Sequence, residues 1–541
     1  MFKKFIFFVS DISRVRVSWR QSLPVMLIFL VFSGYFWLGD MIYKDYGIPF
    51  DEPYSRFLGI LNYNYVLNRD PDQQLLTYSE KYYGPAFEML LTYIEDRMPR
   101  HTIRDVYLMR HKVMFRLFFV SVAAFFLLCY QRFRSWELAL LGAIFLVITP
   151  RIFAHSFYNT KDAAFLAIFA INMCTLAWYL RRPSWYRAIP HAIVCGVLIA
   201  IRVMGVLIPC WTLVIIGGML LLGRHPLKKK YGIALSALVF IEFCVGCTIL
   251  CFPILWQSPF DQFKEAFKQM SHFPWLGTVL YAGQYIKATD LPWHYIPVWI
   301  LLTTPIGYLL TFSVGGIAAI ISVARGILQW RFTYEQTLDL LALWWVSAPI
   351  LAVIVLHSVV YDEWRHLFFI YPGMILLAVN AVDITVSWLK RCLSKQAYQF
   401  GIALLIGLLI LCVAPPAYFM WKYHPYQQIY FNRLIGKRLA AAAGRFERDY
   451  WGVSFRQSFE YILQQDPRPE IRVYTNNWMQ NVLILPENEQ KRLIFVDRQS
   501  QADYLVSNYR NFLDNSYRTP FYTITVDGLN ISVVYKNDFS K

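Results

Sequence analysis

Three short runs hold the residues whose types and spacing could do chemistry. In Gly47-Ile-Pro-Phe-Asp51-Glu52-Pro53-Tyr54-Ser-Arg56, two adjacent carboxylates sit between two prolines. Such a pair suits general-base work or a metal, although Asp-Glu-Pro is equally ordinary first-turn chemistry for a helix. The run Thr149-Pro-Arg151-Ile-Phe-Ala-His155-Ser-Phe-Tyr158-Asn159-Thr-Lys161-Asp162 packs cations, a histidine and an acid into an apolar junction. Snorkelling explains Arg151 or Lys161 singly; it does not explain Asp162 opening an apolar run. In Tyr361-Asp362-Glu363-Trp364-Arg365-His366, Arg365 is suited to grip a phosphate bidentately, with His366 beside it. Arg202 and His294, the latter in Leu291-Pro-Trp293-His294-Tyr295, are weaker members of the set, since interfacial aromatic belts account for Trp293 and Tyr295 without any function.

The elements that must position these runs are membrane spans. The 541 residues are 57% hydrophobic, 18% aromatic and only 16% charged, which no soluble domain matches. Apolar runs of about 20 residues, long enough for a hydrocarbon core of about 30 Å, recur from 23 to 420. Hydropathy predicts eleven: 23–43, 112–130, 136–150, 163–180, 188–202, 204–223, 232–255, 296–323, 337–359, 366–388 and 399–420. Cations fall on alternate links: Arg132 and Arg134; Arg181, Arg182 and Arg187; Arg224 with Lys228 to Lys230; Arg325 and Arg331; Lys390, Arg391 and Lys395. The net charge of +17 is therefore read as orientation, not as nucleic-acid binding. The stretch 188–223 is read as a hairpin turning near Arg202, because a single span there would break the alternation. Lys3, Lys4, Arg14, Arg16 and Arg20 precede a first span too long for a cleaved signal peptide. This predicts a cytoplasmic N-terminus and puts the links 44–111, 151–162, 256–295 and 360–365, with everything after 421, on the outer side. All three runs then meet one surface, where a base could activate a hydroxyl while cations stabilise a departing phosphate.

The chain is thus expected to divide into a transmembrane domain, 1–420, and an outer α/β domain, 421–541. Within 256–295, Phe260, Phe263, Phe267 and Met270 give a helical stripe that predicts an interfacial amphipathic helix or a packed surface one. In the tail, 428–443 and 453–464 read as helices and 471–474, 493–496 and 503–506 as strands, with Asp527-Gly528 turning a hairpin between 521–526 and 529–535. A structural or acceptor-docking role is expected for this domain. The nine cysteines lie in or beside apolar runs, so no disulfide framework is implied; Cys244, Cys247 and Cys251 share a helix face without ligand neighbours, which reads as packing.

At Asp51-Glu52, at Asp162, and in the stretches Pro150 to Asp162, Trp364 to Pro372 and His424-Pro-Tyr-Gln-Gln-Ile-Tyr-Phe431, the chain resembles the GT-C superfamily of integral membrane glycosyltransferases. It is most similar to the branch of protein O-mannosyltransferases and lipid A aminoarabinose transferases, as a bacterial member. The resemblance implies a polytopic α-helical enzyme in the inner membrane with about eleven spans and an outer C-terminal α/β domain. It would transfer a sugar, with inversion, from a polyprenyl-phosphate donor to a lipid, glycan or protein hydroxyl. It further implies Asp51 as base, Glu52 and Asp162 as orienting groups, and Arg365, His366, Lys161 and Arg202 on the donor phosphate, with Arg56, Tyr83, His155 and His294 completing the substrate-binding set. No β-trefoil repeat marks the tail, which puts a protein acceptor in doubt. Asp51, Glu52 and Asp162 could hold a divalent cation, yet the nearby cations suffice for a phosphate, so no metal and no cofactor is expected. The rival class is a transporter or lipid flippase, which an inverted repeat or Gly/Pro-broken spans at mid-membrane would favour. Phosphoethanolamine or acyl transfer would need a nucleophile beside zinc, or a His-Asp pair within the membrane.

Overall fold

The computed structural model describes residues 19–223, 226–271, 275–475, 478–510 and 519–537. Lys3, Lys4, Arg14, Arg16 and Arg224 lie outside them. The first helix, α1 (Trp19–Ile42), is a unit by itself and is long and apolar enough to cross a membrane.

The second unit begins at Tyr43. Helix α2 (Glu52–Val66) starts directly after Asp51, with Pro53 in its first turn, where a missing N–H leaves nothing unpaired. Against it packs α3 (Ala86–Glu95); a Cβ at Gly59 would stand 2.7 Å from the Glu88 carbonyl oxygen, so only glycine allows this approach. A Thr102/Asp105 capping box opens α4 (Ile103–Phe133). This helix begins nine residues before the predicted 112–130, because its polar first turns, carrying Arg110 and His111, face protein and are invisible to hydropathy.

Helices α5 (Trp136–Val147) and α6 (Pro150–Tyr158) meet at 71°. Pro150 has no N–H to continue the ladder. The expected short link 151–162 is therefore largely a helix, and all nine residues of α6 are buried. Helix α7 (Asp162–Arg181) opens at Asp162, and α8 (Trp185–Ile199) is followed by a break at Arg202 and then α9 (Leu207–Leu221), so the hairpin turns where its cation sits. After α10 (Leu227–Cys251) comes α11 (Pro259–Ser271), the amphipathic helix. It turns Phe263, Ala266 and Met270 onto Tyr82, Ile254 and Leu255, and leaves Phe260 81% exposed.

A hairpin of β1 (Thr278–Tyr281) and β2 (Gln284–Lys287) leads to α12 (Tyr295–Thr303), which Pro305 separates from α13 (Ile306–Leu328); the predicted span 296–323 is thus two helices. Helices α14 (Tyr334–Val355), α15 (Tyr371–Cys392) and α16 (Lys395–Lys422) follow. Among the described residues nine helices are long and apolar enough to span, or ten if the bent pair is one span. The eleventh expected span is α8, apolar but only 15 residues long.

The tail carries α17 (Phe455–Gln465) on a five-stranded sheet of order β4-β3-β5-β7-β6, built from β3 (Ile471–Tyr474), β4 (Leu493–Phe495), β5 (Tyr504–Ser507), β6 (Tyr522–Val526) and β7 (Leu529–Lys536). Strand β3 runs parallel to β4 and β5, whereas β7 is antiparallel to β5 and β6. Asp527 and Gly528 both take positive φ, +46° and +81°, as a two-residue hairpin turn of type I′ requires. Phe455, Phe459 and Ile462 pack on Ile471, Val473 and Val506. The helix predicted over 428–443 is not formed. Asn432 instead donates its amide to the carbonyls of Leu301 (2.6 Å) and Thr304 (2.7 Å), Gly436 sits at φ +146°, and only short 3-10 turns remain at Gln427–Ile429 and Leu439–Ala442.

Candidate active site

The two neighbouring carboxylates face different worlds. Asp51 occupies the N-cap position of α2 but makes no side-chain cap bond, and its side chain is 33% exposed. Glu52 is fully buried: Arg110 Nε reaches Glu52 Oε1 at 3.0 Å and His111 Nε2 lies 3.1 Å from Oε2. Arg110 also reaches Glu88 at 2.8 Å, and Thr160 donates to Glu88. A buried rod of charge therefore joins the turn holding Asp51 to the turn holding Lys161 and Asp162. From its other side the Asp51 turn is clamped by the tail. The Asn481 side-chain amide bonds the Ile48 N–H (2.8 Å) and carbonyl (2.9 Å), and Phe50 N–H donates to the Trp451 carbonyl at 3.1 Å. A Cβ at Gly47 would lie 2.3 Å from Asn481 Oδ1, so glycine alone fits there.

Asp162 is buried at the start of α7, where Asn159 accepts from its N–H (2.8 Å) and donates to its carboxylate (3.0 Å). Arg202 pairs with one of its oxygens and Arg365 Nη1 approaches the other at 3.2 Å. The same Nη1 stands 3.5 Å from Asp51, and Arg365 Nη2 stands 3.3 Å from Asp362, which Arg510 of the tail also pairs at 2.7 Å. Tyr361 and Trp451 lie against the Arg365 guanidinium, 4.9 and 4.6 Å from ring centre to Cζ. Acids and arginines thus alternate through one network, with Asp51 its most exposed member among those described. Asp362 and Glu363 both sit at left-handed φ, +55° and +61°, a strained pairing for two non-glycine residues. The turn it makes sends Asp362 to Arg365 and Glu363 the opposite way, to Arg151 and the Tyr450 hydroxyl.

Burial raises Glu363 from the ordinary glutamate range to about 7, against the pull of Arg151 and the Tyr450 hydrogen bond. A carboxyl raised in the fold binds its proton more tightly folded than unfolded. Its contribution to stability is thus complete below the ordinary range and is lost as pH rises through about 7. Thermal unfolding of the full chain between pH 5 and 8 is expected to show a smaller fall of stability with rising pH in Glu363→Gln than in wild type, Glu447, also raised to about 7, keeping its own share. An unchanged slope in the variant removes Glu363 as its source.

The remaining expected residues divide. The Lys161 ammonium lies 4.6 Å from the Tyr83 ring centre, no carboxylate pairs with it among the described residues, and both line a small cleft with Arg202. His366 stacks edge-on to Tyr361, ring centres 4.8 Å apart, and its Nδ1 is buried without a hydrogen-bond partner among the described residues. His155 is fully buried behind Glu363, 3.3 Å from the Tyr450 hydroxyl and 2.9 Å from Asn159. Arg56 turns away from the network to Glu95 (3.0 Å), and His294 bonds Tyr281 in the β1–β2 hairpin at 2.6 Å. Arg110, His111 and Glu88 were missed, although an Arg-His pair heading an apolar helix is itself a signal. Tyr450, Trp451 and Arg510 come from a domain to which no chemistry was assigned. Among the described residues no group of three or more His, Cys, Asp or Glu side chains is placed to hold a metal ion.

No protein-family model matches the chain, and no curated protein does. Solved structures do. The apo oligosaccharyltransferase of Archaeoglobus fulgidus is 12% identical, over 92% of this chain and 70% of that one, at a TM-score of 0.50. ArnT from Cupriavidus metallidurans in the apo state is 12% identical over 94% of this chain and 98% of that one, with a TM-score of 0.46; bound to undecaprenyl phosphate the figures are 12%, 96%, 98% and 0.44. The likeness to the archaeal enzyme shows a shared fold and nothing finer: the polytopic helical architecture of that protein.

Proposed function

We propose that this chain is an integral-membrane glycosyltransferase that moves a sugar from a polyprenyl-phosphate donor to an acceptor hydroxyl, inverting the anomeric carbon. The observation that carries this reading is Asp51, a partly exposed carboxylate fixed by Arg365 beside the Lys161–Arg202 cleft. Asp51 takes the acceptor proton as the acceptor oxygen bonds the anomeric carbon. The bond from that carbon to the phosphate oxygen breaks on the opposite face, and the polyprenyl phosphate leaves with the electron pair. Lys161 and Arg202 meet the charge that develops there. Arg365, 3% exposed and already shared by Asp51, Asp162 and Asp362, acts first as the group that orients acids. Glu52 fixes the turn from below, and His366 and Tyr83 border the donor headgroup. The GT-C fold supports the class of reaction.

The reading sets the site on the outer face of a bacterial inner membrane, with the N-terminus cytoplasmic. Support comes from α15, whose far end carries Lys390 and Arg391, opposite the end at Tyr371. The test feeds membranes containing the full chain a panel of radiolabelled polyprenyl-phosphate sugars. Consumption of one donor by wild type but not by Asp51→Asn supports the reading, and consumption of none sinks it. Lys161→Ala is expected to raise the donor KM by about tenfold, the scale of one hydrogen bond to a charged group; an unchanged KM takes Lys161 off the phosphate.

A further inference from the structure

A cavity of about 150 Å³ lies between the β1–β2 hairpin and the tail, with Tyr285, Glu447, Asp449, Asn508 and Arg510 in its wall. It adjoins the network at Asp51 through two ion pairs: Arg510 holds Asp362, and Asp362 holds Arg365. Tyr450, also in the wall, donates to Glu363. Both signs line the space, Glu447 and Asp449 against Arg448 and Arg510. Glu447 Oε2 and Asp449 Oδ1 are buried there without a hydrogen-bond partner among the described residues, and Asp449 is 1% exposed. Its other oxygen accepts from the Ser454 N–H at 2.8 Å. Burial raises both acids above the ordinary carboxylate range, Glu447 to about 7. Tyr509, another wall residue, is held at φ +62°, a backbone state that an aromatic residue rarely adopts.

This wall selects by exclusion. An anion would face Glu447 and Asp449; a cation would face Arg448 and Arg510. An apolar molecule would leave two buried carboxylate oxygens unpaired, and an extended peptide outgrows the space. A neutral ring of hydroxyls fits, donating to the carboxylates and accepting from the guanidinium, with tyrosine faces for its C–H groups. We propose that this cavity is the acceptor subsite and takes a single sugar ring, so that the acceptor is a glycan, free or lipid-linked. The proposal rests on the transferase reading above.

The test is saturation-transfer NMR on the full chain in nanodiscs, with methyl glycosides of glucose, galactose, mannose and arabinose, and an unstructured tripeptide as competitor. At least one glycoside is expected to bind, about tenfold more weakly in Glu447→Gln and in Tyr285→Ala. Thermal unfolding identifies a variant that fails to fold, and the second variant then decides. The absence of glycoside binding, equal binding in both folded variants, or displacement by the peptide overturns the proposal. The matching dodecyl glycoside separates the sources: tighter binding assigns a glycolipid, and equal binding a free glycan. Donor consumption by wild type is measured in parallel. Its absence defeats the transferase reading while the sugar-binding result stands, so the two failures are distinguishable.

Discussion

Replacing Asp51 by asparagine is expected to lower kcat by about 10²- to 10⁴-fold, the usual worth of a positioned general base, with donor KM nearly unchanged. Asparagine keeps the volume, and α2 loses no cap bond because Asp51 makes none. The variant should therefore fold as wild type and still bind donor. Arg365 would lose one of three partners and keep Asp162 and Asp362. Single-turnover kinetics with saturating donor separates this outcome from a binding defect. A fall in donor affinity with unchanged turnover would make Asp51 a binding residue and leave the reaction without its base.

The largest effect on stability is expected at Arg110. Its side chain is fully buried between Glu52 and Glu88, and removing it strands two carboxylates whose remaining partners are His111 and the Thr160 hydroxyl. Breaking a buried pair by deleting one partner costs about 3–5 kcal/mol, so Arg110→Met should sharply lower the unfolding temperature of the full chain. Adding Glu88→Gln should recover part of the loss, because one stranded charge is gone. Arg365→Ala makes the contrast. There Asp162 keeps Arg202 and Asp362 keeps Arg510, so stability should fall less while transfer is lost. If Arg110→Met unfolds at the wild-type temperature, the buried rod does not hold the two turns in place.

Much of the architecture was legible because its signals are local. The Asp527-Gly528 hairpin and the Arg202 turn were read from the residues that form them. The break at Pro305 had the same kind of signal, and treating 296–323 as unbroken overlooked it; the span 136–150 did end at Pro150, but the helix beyond it was read as a link. The tail segment 428–443 was misread because its apolar spacing competes with a distant partner: Asn432 satisfies carbonyls at the end of α12, which no window along the sequence contains. The meeting of Asp51, Asp162 and Arg365 was foreseeable, since ionisable groups beside apolar runs are costly unless they find one another. Arg510 and Trp451 were not. In a polar domain an arginine or a tryptophan needs no special explanation, and only the folded chain brings Trp451 to Arg365 and Arg510 to its neighbour Asp362.

The clamp of Asn481 and Trp451 on the Asp51 turn has a temporal meaning. During synthesis the acid that would abstract the proton is made early, whereas the residues that fix its turn are made more than four hundred positions later. A nascent chain can insert its helices and meet the lipid pool with that carboxylate still unanchored. The turn that carries Asp51 therefore takes its final form only once the tail has folded against it.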